Sequence, residues 1–160
     1  MNEKKNLSTK ETFALAAQNH QKNNLKVAEN LYNEVLKIDP NHFESIFLLG
    51  TLSAQSKKFN ISKKLLFKAS QIQPNNIHVQ NNLGNVFKEL EEYQKAINCY
   101  EKVIQIDLNF VEAHSNLGIV FHIHKLGEYQ KAINCYEKAI QINPDYANAH
   151  NNLGLAFAEL

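Results

Sequence analysis

The stretch Glu92-Tyr93-Gln94-Lys95-Ala96-Ile97-Asn98-Cys99-Tyr100-Glu101-Lys102 returns as Glu128 to Lys138. The echo extends outward in both directions. Gly50, Gly84 and Gly118 are spaced by 34 residues, and so are Pro40 and Pro74. A period of this length is too short for a domain. It fits a supersecondary unit that cannot bury its apolar face alone and must stack on copies of itself.

Each unit reads as two helices. Ser8 and Glu11 have the spacing of a capping box at a helix start. Phe13, Ala16 and Ala17 then recur at helical spacing until Asn23-Asn24 interrupts them. Val27, Ala28, Leu31, Tyr32, Val35 and Ile38 form a second apolar stripe. Asp39-Pro40 closes it, because the residue before proline is pushed out of the helical region. The first hairpin thus spans 9–42, followed by 43–76, 77–110 and 111–146, with an incomplete unit at 147–160. Residues 1–8 read as a disordered tail. Gly118 to Ala132 is two residues longer than Gly84 to Ala96, which puts an insertion within Phe121 to Gly127. The last unit has one helix, and Leu153, Leu155, Ala156, Phe157 and Leu160 leave it apolar. Stacked repeats need a polar terminal helix. The expectation is therefore a piece of a longer protein, whose uncapped end offers end-to-end self-association.

Composition narrows the function. The net charge of +1 gives no global field favouring nucleic acid or an anionic membrane. All 17 basic residues are lysine, so the usual bidentate reader of phosphate or guanine is absent. No apolar run approaches the ~20 residues of a membrane helix. Cys99 and Cys135 hold the same place in consecutive units, where neighbouring helices sit ~8–10 Å apart, too far for a disulfide. They read as small apolar residues, and a cytoplasmic location is compatible with that.

The packing code is explicit. A small residue sits mid-way along each first helix, at Ala16, Gly50, Gly84, Gly118 and Gly154. Another sits early in each second helix, at Ala28, Ser62, Ala96 and Ala132. Glycine inside a helix is ~1 kcal/mol worse than alanine, so its recurrence signals steric need. Small against small would let the helices approach, with Tyr32, Leu66, Tyr100, Tyr136, Phe87, Phe121 and Phe157 filling the space around them. At this point the chain resembles the tetratricopeptide-repeat family. The motifs are Asn82-Leu83-Gly84 with Phe87, Ala96, Tyr100 and Val103, and Asn116-Leu117-Gly118 with Phe121, Ala132, Tyr136, Ala139 and Pro144. The match loosens in the first two units, where Thr12, Ile46 and Ser62 depart from the pattern. The resemblance implies an all-α, right-handed superhelical solenoid of antiparallel helix pairs, about four and a half repeats over 9–160. It also implies that the first helices line a concave groove that binds a protein or peptide.

Helical phase assigns that groove. Its peptide-binding candidates are Asn82, Asn116 and Asn152, flanked by Asn81, Asn85, Lys88, Ser115, Asn148 and Asn151. His20, His78, Glu112, Ile119, His122 and Leu155 share the face. Asn82, Asn116 and Asn152 form one column. A carboxamide can pair with both the C=O and the N–H of one peptide unit, whatever side chain that unit carries. Repeats ~10 Å apart would place an anchor about every three residues of an extended strand. The column is similar to the asparagine ladder of O-linked N-acetylglucosamine transferases. The chain holds 22 asparagines, however, so these are equally readable as solvated positions or as bonds between neighbouring helices. The first two units put Ala14 and Leu48 in the column, which confines any ladder to the C-terminal half.

His114, His122, His124 and His150 do not make a metal site. On a helix His122 and His124 point ~200° apart, and His114 and His150 fit packing positions better. No nucleophile–base pair, phosphate loop or carboxylate pair suggests catalysis, and no cofactor is implied. The sequence therefore points to a scaffold that binds protein or peptide, not to an enzyme. Two alternatives stand beside it. One is the N-terminal substrate-presenting part of a glycosyltransferase or other transferase with its catalytic domain beyond residue 160. The other is a structural spacer or oligomerisation array.

Overall fold

The computed structural model describes residues 7–123 and 128–159. Among these it has nine helices in antiparallel pairs: α1 (Thr9–Gln21) with α2 (Leu25–Ile38), α3 (Phe43–Gln55) with α4 (Phe59–Ile72), α5 (Ile77–Glu89) with α6 (Tyr93–Ile106), and α7 (Val111–Ile123) with α8 (Tyr129–Ile142); α9 (Ala147–Ala158) follows. No strand occurs among the described residues, and the fold is all-α. The helices group into two compact units, 1–74 and 75–160, each a short solenoid of stacked hairpins.

In the first unit, α1 opens with the capping box read from the sequence. Ser8 Oγ accepts from Glu11 N at 3.2 Å and Glu11 Oε2 accepts from Ser8 N at 2.9 Å. That hydrogen bonding holds the Glu11 carboxyl below the usual range. Ala16, Ala28, Tyr32, Leu49 and Leu52 form the core between the two hairpins. Ser62 Oγ donates to Gly50 O at 2.7 Å, so the small residue of α4 rests on the backbone of the small residue of α3. Ion pairing from Lys58 to Glu29 at 2.8 Å links the hairpins at the surface.

In the second unit, Ala132, Ile133, Tyr136, Ala139, Ala149 and Ala156 form a core that binds α9 to the hairpin before it. Lys95 lies over the Phe87 ring at 5.5 Å and Lys131 over Phe121 at 5.4 Å, the same contact in successive hairpins. Phe157, at the same repeat position of α9, is 56% exposed. The segment expected to carry the two-residue insertion runs from Phe121 to Gly127. Of that segment, residues 124–127 lie outside the described residues, and His124 with them.

Tight turns join the helices within each of the first three hairpins. There Asn23, Lys57 and Glu91 have φ of 60°, 56° and 59°. The bonds Asn24 N→Asn19 O (2.9 Å) and Asn23 N→His20 O (3.0 Å) are the paired closure of a left-handed helix cap. The other two turns repeat it, with Lys58 N→Ser53 O at 2.8 Å and Glu92 N→Phe87 O at 2.9 Å. Only the asparagine among the three tolerates this conformation readily.

Candidate functional site

In α5 and α7 the glycine makes room chiefly for an aromatic ring, not for the alanine opposite. A Cβ on Gly84 would lie 2.7 Å from Tyr100 Cε1, and one on Gly118 would lie 2.6 Å from Tyr136 Cε1. In the first unit Leu66 takes this place against Gly50, at 3.0 Å. The small residue thus lets a tyrosine ring slide across the first helix. Its hydroxyl ends beside residues further along that helix.

What meets the hydroxyl differs between hairpins. Tyr100 Oη donates to Asn85 Oδ1 at 2.7 Å. Tyr32 Oη lies 3.4 Å from His20 Nδ1. The residue of α7 equivalent to Asn85 is Ile119, which has no polar atom to offer. Tyr136, 0% exposed, accordingly has a buried hydroxyl with no hydrogen-bond partner. Burial raises the pKa of Tyr32 to about 12 and pushes Tyr136 higher still.

Two equivalent cavities open beside these rings. In the first unit, one of about 380 Å³ is lined by Ala17, His20, Gln21, Tyr32, Leu48, Thr51 and Gln55. In the second, one of about 280 Å³ is lined by Ile119, His122, Ile123, Tyr136, Asn152, Leu155 and Glu159. Counted from the small residue of each first helix, His20 matches His122, Leu48 matches Asn152, Thr51 matches Leu155 and Gln55 matches Glu159. Each histidine spans the cavity to the next first helix. His20 Nε2 is 3.0 Å from Gln55 Oε1, and His122 Nε2 is 3.1 Å from Glu159 Oε2.

Asn82, Asn116 and Asn152 are each half-buried at the same register of α5, α7 and α9. Asn148 and Asn151 are exposed on α9. Asn85 is occupied by Tyr100, and Lys88 pairs with Glu89 at 3.0 Å. Asn81 and Ser115 are not open to a ligand: they are 9% and 1% exposed. Asn81 Oδ1 instead accepts from Asn116 Nδ2 at 3.4 Å, a bond between neighbouring first helices. The helical wheel could not separate these two residues from the open face. They lie at its edge, where the adjacent helix covers them.

The remaining polar candidates have structural partners. His114 Nε2 donates to Leu108 O at 3.0 Å and His150 Nε2 to Pro144 O at 2.7 Å, each reaching back six residues to the loop before its helix. A carbonyl can only accept, so Nε2 carries the proton in both. Cys99 and Cys135 are free thiols, their pKa values raised to about 11 by burial. No group of three or more His, Cys, Asp or Glu side chains among the described residues could hold a metal ion. No described helix is long and apolar enough to cross a membrane.

The family model described as TPR repeat matches residues 84–122 and 123–160. A crystal structure of MamA protein superimposes with a TM-score of 0.85 at 28% identity, covering 94% of this chain and 81% of that one. MamA from Desulfovibrio magneticus gives a TM-score of 0.87 at 18% identity, over 94% and 84% of the two chains. YrrB, described as a TPR protein with an unusual peptide-binding site, gives 0.80 at 19% identity, over 95% and 77%. No curated protein matches the sequence.

Proposed function

Since the chain belongs to the tetratricopeptide-repeat family, we propose that it is a protein-binding scaffold that holds an extended segment of a partner along the first-helix face of α5, α7 and α9. The observation that carries this reading is the coincidence of two features on that face. Asn82, Asn116 and Asn152 keep one register on successive helices, and an open recess of about 280 Å³ with largely apolar walls lies beside Asn152. Carboxamides that can grip main chain, next to an apolar recess for a side chain, suit a polypeptide better than a metabolite.

Chemical-shift mapping with peptides selected from a random library tests this. Binding peptides should perturb the side-chain amides of Asn82, Asn116 and Asn152. Replacing the three with alanine should weaken binding about tenfold or more, at roughly 1 kcal/mol per hydrogen bond, with melting nearly unchanged. Perturbations confined to the second helices would defeat the reading. So would a large loss of melting temperature in the triple variant, which would assign the asparagines to packing.

A further inference from the structure

We infer that the cavity between α7, α8 and α9 is a subsite for a lysine side chain. The inference refines the first-helix-face reading by naming what one position of the bound chain presents there. Three features converge. The walls are apolar, formed by Ile119, Ile123 and Leu155. Tyr136 brings a buried hydroxyl that no protein atom satisfies. One formal charge lines the cavity, the carboxylate of Glu159, which His122 meets at 3.1 Å and Tyr129 also reaches by a side-chain hydrogen bond. An unsatisfied buried hydroxyl is destabilising, and a ligand that pairs with it recovers that loss on binding.

A lysine suits all three. Its four-carbon stem covers the aliphatic walls while its ammonium stays near polar groups. Its three donors match the acceptors that the lining residues Tyr136, Asn152 and Glu159 carry. A carboxylate ligand would instead face Glu159, and a purely aliphatic one would leave the hydroxyl unpaired. The equivalent cavity of the first unit lacks both features. Gln55 stands where Glu159 does, and Tyr32 Oη is met by His20 Nδ1. It supplies an internal control.

The test needs no peptide. The ¹⁵N-labelled chain is titrated with n-butylammonium, n-butanol or butyrate at neutral pH and followed by amide chemical shifts. Expected are saturable shifts at Ile119, Ile123 and Leu155 with n-butylammonium, weaker binding of n-butanol and none of butyrate. Ala17 and Thr51 should stay still. Glu159→Gln should weaken amine binding about threefold, the scale of an exposed ion pair. Tyr136→Phe, which keeps the ring on Gly118, should weaken it about fivefold, the scale of one hydrogen bond. No saturable shift with the amine would overturn the proposal. So would butanol or butyrate binding as tightly, or either variant binding the amine unchanged. Amine binding without any peptide binding at the asparagine column would leave the subsite standing and remove the ladder.

Discussion

Tyr136 Cε1 stands 2.6 Å from the point where a Cβ on Gly118 would sit, so the ring occupies the space that any other residue needs. Tyr136 is 0% exposed and cannot swing aside. Gly118→Ala should therefore destabilise the chain by ~1–3 kcal/mol through overpacking, despite alanine's better helix propensity. Gly154 holds the same repeat position in α9 with nothing within 4 Å of its Cβ site. Gly154→Ala should stabilise by up to ~1 kcal/mol. Urea unfolding followed by circular dichroism checks both. Equal effects at the two glycines would contradict the ring-over-glycine packing.

The tyrosine hydroxyls should separate in the same way. Tyr100→Phe removes a 2.7 Å hydrogen bond and strands Asn85 Oδ1, at a loss of about 1 kcal/mol. Tyr136→Phe removes a hydroxyl with no partner, and should be neutral or stabilising. Ile119→Asn restores the pairing seen at Asn85, and should cancel the benefit of Tyr136→Phe when the two are combined. A double-mutant cycle on melting free energies reads this coupling directly.

These contrasts also mark where sequence reasoning stops. Period and cap chemistry sufficed for the helices: the 34-residue spacing of Gly50, Gly84 and Gly118, the Ser8–Glu11 box and Asp39-Pro40 each carry a local physical signal. The column of Asn82, Asn116 and Asn152 was legible for the same reason, since register within a helix is local. Ring placement was not. Nothing in the pattern Ala96…Tyr100 says that the aromatic, more than the alanine, fills the glycine notch. Nor does it reveal that His20 and His122 reach the last turn of the next first helix. Those are contacts between residues more than 30 positions apart. The substitution of Ile119 for Asn85's equivalent was visible, and it would have flagged Tyr136 once the tyrosine's path was known.

The turn residues give an independent stability prediction. Lys57 and Glu91 sit at φ of 56° and 59°, where a side chain with Cβ is strained by ~1–2 kcal/mol relative to glycine. Part of that is returned by glycine's greater entropy in the unfolded chain. Lys57→Gly and Glu91→Gly should each stabilise by about 0.5–1 kcal/mol and raise the melting temperature by a few degrees. Asn23→Gly should change little, because asparagine already tolerates the left-handed region. A lowered melting temperature in both glycine variants would mean that the left-handed caps do not limit stability.

Alkaline pH should loosen the fold through the thiols. Burial raises Cys99 and Cys135 from an ordinary 9.0 to about 11. Between those values the unfolded chain gives up each thiol proton while the folded chain keeps it. The unfolded state then binds fewer protons, so stability falls as pH rises. The contribution is complete below pH 9 and is lost as pH climbs through about 11, at about 1.4 kcal/mol per pH unit per thiol as an upper figure. Cys99→Ala with Cys135→Ala should flatten the unfolding free energy across that window relative to the parent chain, leaving the tyrosine contribution in both. The same burial predicts that native Cys99 resists iodoacetamide at pH 8 and reacts once urea unfolds the chain. Fast alkylation of the native thiol, or an unchanged alkaline slope in the double variant, would show that these side chains are not held in the apolar interior.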